Sequence, residues 1–162
     1  MINLVLIAVQ AFRRQEKKPE LGGMRGKIVL VSSTCGLYTI HGVPVYVASK
    51  HAMVGLTRTY GQILPSESIT MNAICPHIVR TGISKHTPLW YDDLEKRGLL
   101  TPIGNIIAGF DEYLGKSTRS AECMECGPEG SRVVQFMDHM GEQTKLGCEA
   151  VIDRSERLWK DQ

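Results

Sequence analysis

Two continuous apolar runs constrain this chain most: KIVLVSS at residues 27–33 and SITMNAIC at residues 68–75. Runs rich in β-branched residues and lacking polar alternation are expected of strands covered on both faces. Between them, residues 45–64 carry apolar side chains at 45, 48, 52, 56, 60 and 63, the three-and-four spacing of a helix with one buried stripe. Pro65 marks its end. Strand, helix and strand in that order predict parallel pairing with a right-handed crossover, hence an α/β sheet.

The flanking segments extend this pattern. Residues 2–14 are compatible with a helix, and the polar QEKKPELGGMRG at 15–26 is a surface connection. A long loop is expected over 77–101, with a short helix near YDDLEKR, followed by a helix of about three turns over IGNIIAGFDEYL. SAECMEC is expected to be a third, shorter strand before the turn GPEG. From 131 to 162 the chain is polar and weakly helical. The expected architecture is therefore α/β, with about three strands and flanking helices. At 162 residues it fits one domain able to bury a core.

Composition excludes several functions. With 43% hydrophobic and 22% charged residues and a formal net charge of +2, the chain resembles an ordinary globular protein rather than one that coats nucleic acid. RRQEKK at 13–18 mixes signs and reads as a solvated helix end, without the aromatic platform or basic groove of a nucleic-acid site. The apolar MINLVLIAVQAF has its arginines after it, whereas a secretory signal carries positive charge first. No apolar run approaches the roughly 20 residues of a membrane helix. Five cysteines, odd in number and mostly within apolar runs, predict reduced thiols and a cytoplasmic protein. Cys123 and Cys126 suggest a metal or redox pair, but on a strand i and i+3 point to opposite faces and no second pair completes four ligands. No metal site is expected.

Chemistry gathers around PVYVASKHAMVGLTR, residues 44–58. Tyr46 and Lys50 stand four apart, so they project together from the first turns of the predicted helix. A phenol's ordinary pKa is about 10, and making it a base near pH 7 takes roughly 4 kcal/mol. An ammonium about 4 Å away supplies that much at an effective dielectric of about 20. Ser32, Ser33 and Thr34 follow the first buried strand, and the carboxyl end of such a strand is where open α/β sheets bind ligands. A hydroxyl there could polarise a carbonyl while the phenol moves a proton. Each signal alone is common in helices and loop starts.

Taken together and in order, GKIVLVSSTCG, PVYVASKHAMVGLTR, ITMNAICP and VRT closely resemble the short-chain dehydrogenase/reductase family, over about residues 2–126. Within that family they resemble the NAD-linked members of the hydroxyprostaglandin dehydrogenase kind. The resemblance implies a partial Rossmann-like, doubly wound parallel sheet. Residues 1–126 would be the C-terminal catalytic portion, and 127–162 a polar extension. The implied function is NAD(P)-dependent interconversion of a small alcohol and ketone. Tyr46 would be the acid/base, Lys50 would also bind the nicotinamide ribose, and Ser33 would orient the substrate. Asn3 would help hold a relay water. Val79 and Thr81 would touch the nicotinamide, and loop 82–100, with Lys85, His86, Trp90 and Tyr91, would be the substrate lid.

The chain also departs from the family pattern. Pro76 is followed by His77, where the family carries glycine close to the cofactor. Ala121 likewise stands for a glycine, with a mild expected effect. No G-x-x-x-G-x-G occurs among the sixteen glycines. The family's first strands, its pyrophosphate-binding turn and the residue that chooses NAD or NADP are therefore expected to be missing, a truncation that would leave KIVLVSS with an open edge. Self-association through the helices at 2–14 and 45–64, or docking on an intact homologue, is expected as compensation. The alternative function is an inactive fragment serving as an interaction module.

Overall fold

The computed structural model describes residues 2–160, without the side chains of 83–84 and 156–160. Its elements are α1 (Ile2–Arg13), β1 (Gly26–Val31), α2 (Pro44–Ile63), β2 (Ile69–Pro76), α3 (Pro88–Lys96), α4 (Ile103–Leu114), β3 (Cys123–Gly127), β4 (Gly130–Val133) and α5 (Glu142–Lys160). The strands form one sheet in the order β1-β2-β3-β4. β1 pairs parallel with β2 and β2 with β3, whereas β3 and β4 form an antiparallel hairpin. This is the expected Rossmann-like α/β architecture, with one strand more than the three expected. The fourth begins on the last glycine of GPEG. Ser-Arg-Val is too short and too exposed to show alternation in the sequence, and its partner β3 is what makes it a strand.

Helices cover both faces of the sheet. On one, Val5 and Val9 of α1 pack with Ile28, Leu64, Ile69 and Met71, while Val54 of α2 meets Ala73, Cys75 and Cys123. On the other, Ile106 and Tyr113 of α4 pack on Ile74, Met124 and Cys126. Alternate residues of β2 thus serve opposite layers, as the period of a strand requires. β2 is the fully covered strand, and its buried polar residue Asn72 is satisfied. Asn72 Nδ2 donates to the Arg119 carbonyl (2.9 Å), and its Oδ1 accepts from the Glu122 amide (3.0 Å).

Two expectations of burial are corrected. KIVLVSS is not covered throughout: β1 lies at the sheet edge, and burial fades along it until Val31 is half exposed. A strand with a neighbour on one side only leaves part of its surface open. In α2 the expected stripe also fails, because Val45, Ala48, Ala52 and Ile63 are exposed, and Leu56 and Tyr60 only partly buried. The face on the sheet is instead Met53, Val54, Thr57 and Gly61. Small residues win because the helix lies so close to β2 that a Cβ at Gly61 would come within 2.8 Å of the Met71 carbonyl oxygen. The larger apolar side chains therefore point outward, and α1 exposes Ile2, Leu4, Leu6 and Ile7 as well.

Among the described residues, no helix is long and apolar enough to cross a membrane. Ala121 adopts the left-handed conformation, with φ of 68°, before β3. This is the torsion for which glycine is the ordinary choice.

Candidate active site

The site lies where β1 and β2 end. Parallel strands deliver their carboxyl ends to the same side of the sheet, so Val31, pairing with Ile74, brings the serine turn beside Pro76. The Ser32 amide continues the ladder to the Ile74 carbonyl (2.8 Å), after which the chain turns through a short 3-10 segment, Thr34–Gly36. Ser33 caps that turn: its Oγ accepts from the Cys35 amide at 3.1 Å and lies 3.5 Å from the Pro76 carbonyl oxygen. Ser33 is buried within this strand-end turn.

Three contacts dock α2 against the turn. Ser32 Oγ donates to the Lys50 carbonyl (3.1 Å), and Lys50 Nζ donates to the Val31 carbonyl (3.1 Å). Gly36 supplies the third, since a Cβ there would lie 2.7 Å from both the Lys50 carbonyl oxygen and Ser32 Oγ. α2 begins with Pro44 at a position where a missing amide costs nothing. Tyr46 therefore falls in its first turn and Lys50 in its second, with Nζ 5.4 Å from the Tyr46 ring centroid. The Tyr46 side chain remains half exposed, open to whatever enters the end of the sheet.

The other expected residues sit around this nucleus. Asn3 is exposed in the first turn of α1. The opposite end of that helix is tied to the start of β1, because the Arg25 guanidinium donates to the Arg13 and Gln15 carbonyls. Asn3 consequently lies toward the strand end that carries Ser33. Val79 packs partly buried against the α4 cluster that contains Ile74 and Ile106. Thr81 is exposed in the segment leading to α3. His77 keeps its backbone on the sheet through a bond from its amide to the Cys126 carbonyl (2.9 Å), while its imidazole is exposed. Its torsion is not left-handed, so the turn does not itself require glycine.

The segment expected to be the lid is tied by Arg80, which contacts Asp92 (2.6 Å) and Glu95 (3.2 Å) of α3 and lies over the Tyr91 ring. The Cys123 and Cys126 side chains point into opposite layers, as the strand period predicts. Cys123 instead neighbours Cys75; a thiol–thiol hydrogen bond between them and burial push the Cys75 thiol far above its usual range, so it stays protonated. Burial likewise raises the Cys126 thiol and the Tyr113 phenol.

Sequence reasoning did not assign the roles of Gly36, Ser32 Oγ or the Val31 carbonyl. Gly36 closes the motif GKIVLVSSTCG, and a glycine directly after a hydroxyl-rich strand end is the signal that could have identified a close backbone approach.

Similarity to known proteins follows the same segments. A family model described as short chain dehydrogenase matches residues 2–92, which contain Ser33, Tyr46, Lys50, Val79 and Thr81. Human 15-hydroxyprostaglandin dehydrogenase [NAD(+)] is 44% identical over 64 residues, covering 38% of this chain and 24% of that protein. Among solved structures, 3-hydroxyacyl-CoA dehydrogenase type-2 from Mycobacterium avium superposes with a TM-score of 0.63 at 23% identity, covering 85% of this chain and 53% of that one. A variant of actinorhodin polyketide ketoreductase with NADPH gives a TM-score of 0.51 at 27% identity, covering 61% and 44%. The chain spans between 24% and 49% of the length of the curated relatives that it matches. With more than half of its residues within the family model and the serine turn docked on the tyrosine helix, this chain belongs to the short-chain dehydrogenases.

Proposed function

We propose that the chain carries the acid/base half of a nicotinamide-dependent oxidoreductase that interconverts a small alcohol and a ketone. The observation that supports this most is the docking of Lys50 on the Val31 carbonyl beside Ser33, which gathers a phenol, an ammonium and a hydroxyl at the carboxyl end of a parallel sheet. Tyr46 moves the proton to or from the substrate oxygen. Ser33, at the end of β1, donates to that same oxygen and orients it. Lys50, docked on the Val31 carbonyl, sets its ammonium 5.4 Å from the Tyr46 ring centroid, beside the reacting oxygen. Asn3, at the same end of the sheet, helps hold a relay water.

The residues also suit the nicotinamide end of NAD or NADP. Lys50 offers an ammonium for ribose hydroxyls, and the backbone at Val79 and the exposed Thr81 border the strand end. When bound, the cofactor supplies or accepts hydride. No G-x-x-x-G-x-G occurs within these 162 residues, and the exposed His77 follows Pro76 where the resemblance implies the nicotinamide end. Some impairment of cofactor binding by the His77 side chain is part of the proposal. Four buried free thiols fit a reducing compartment such as the cytoplasm. In the same reading, residues 1–126 are the catalytic portion and 127–162 an extension to it.

The apolar surface left open on α1 and α2, together with the edge of β1, favours a second element of the reading. The chain self-associates or docks on an intact homologue through these surfaces. Should catalysis be absent, that association is the remaining function.

The test is turnover of the full chain against a panel of small ketones, followed by loss of reduced-nicotinamide absorbance with NADH and NADPH in turn. Consumption dependent on a ketone is expected with one of the two. Binding of either cofactor without consumption for any ketone, or of the oxidised forms with any secondary alcohol, would leave only the interaction module.

A further inference from the structure

The hairpin β3–β4 lies mostly beyond the residues that carry the site, yet its one arginine reaches back to the serine turn. Tyr38 is the last residue of that turn bonded to it, through its amide to the Thr34 carbonyl (2.8 Å), and residues 39–43 beyond it are exposed. The Tyr38 hydroxyl donates to Glu125 Oε2 of β3 (3.0 Å) and accepts from Arg132 Nη2 of β4 (3.0 Å). Arg132 Nε closes the triangle on Glu125 Oε2 (2.8 Å). Glu125 and Arg132 are directly opposite in the hairpin register, so the sheet itself sets the fork that the phenol enters. The Glu125 side chain is only 16% exposed, whereas the Arg132 side chain is 71% exposed and Tyr38 half exposed, so the triangle owes its strength to its shared geometry and charge more than to burial.

We propose that Tyr38, Glu125 and Arg132 form a positioning latch by which the C-terminal hairpin fixes the turn that presents Ser33. The latch acts at the point where the chain leaves the sheet between Ser33 and Tyr46. Ser32 and Gly36 hold the near side of the turn on α2, and the latch holds its far side on β3. None of the three residues touches the reacting atoms. Their effect on turnover passes through Ser33, and this part of the inference rests on the oxidoreductase reading above.

The experiment compares the full chain with Tyr38→Phe and Arg132→Met, measuring backbone hydrogen exchange over residues 33–38 and over β2, together with kcat and KM. Losing one charged bond is expected to speed exchange at Cys35 and Gly36 about tenfold and to leave β2 unchanged. In an active chain, kcat falls in both variants with the cofactor KM unchanged. Arg132→Lys, which retains the charge on Glu125 but not the fork to Tyr38, is expected to recover only part of the loss. Faster exchange at 33–38 in the variants, when the parent chain shows no turnover, supports the latch and counts against the oxidoreductase reading alone. Unchanged exchange at 33–38, or equal acceleration in β2, overturns the latch.

Discussion

Replacing Tyr46 by Phe is expected to lower kcat by about 10²–10⁴, the usual worth of a positioned acid/base, while leaving the fold intact. The change is conservative in every other respect. Tyr46 is half exposed in the first turn of α2, and among the described residues its hydroxyl makes no hydrogen bond whose loss would destabilise the chain. The ring stays above Lys50 Nζ in the variant, so the docking of Lys50 on Val31 is preserved. Stability should stay within about 0.5 kcal/mol, as for other surface substitutions. Denaturant unfolding and steady-state turnover on the same preparations check both halves. Turnover unchanged in a folded variant would remove Tyr46 from the mechanism.

Adding a single methyl group at Gly36 should have the next largest effect. Gly36→Ala places a carbon 2.7 Å from the Lys50 carbonyl oxygen and from Ser32 Oγ, and 3.0 Å from the Lys50 carbonyl carbon. All lie closer than carbon and oxygen tolerate, and two belong to helix backbone. The serine turn and α2 must separate, a strain of about 1–3 kcal/mol, offset in part by the smaller entropy of the unfolded alanine chain. Separation moves Ser33 relative to Tyr46 and Lys50. A shift of a few tenths of an ångström in reacting groups is expected to reduce kcat about ten- to a hundredfold. The φ at this position is ordinary, so the effect is steric and not torsional. Measuring kcat beside the unfolding free energy separates a displaced site from a merely less stable one.

The parts of this architecture written in local pattern were legible. β-branched runs read as β1 and β2, GFDEYL and its neighbours as α4, and Pro44 and Pro65 as punctuation around α2. What escaped depended on neighbours distant in sequence. The outward stripe of α2 misled because periodicity reports that a helix has two faces without saying which one meets the sheet. Thr57 and Gly61 face β2 since closeness of backbones outweighed the apolar area of Val45 or Ile63. β4 escaped because four residues carry too little pattern without the partner that pairs with them. At the site, Tyr46, Lys50 and Ser33 followed from spacing and resemblance, and the structure brings their elements together. The Val31 carbonyl, Gly36 and the Tyr38–Glu125–Arg132 triangle did not follow, because each is a contact between segments and none has a sequence motif of its own.

The central claim is that this strand end receives a nicotinamide against which Tyr46 can work, and titration of the full chain with NADH and NADPH tests it most directly. A saturable quench or shift of the reduced-nicotinamide fluorescence by millimolar cofactor, weakened in Lys50→Met, is the predicted result. No change with either cofactor at that concentration would contradict it.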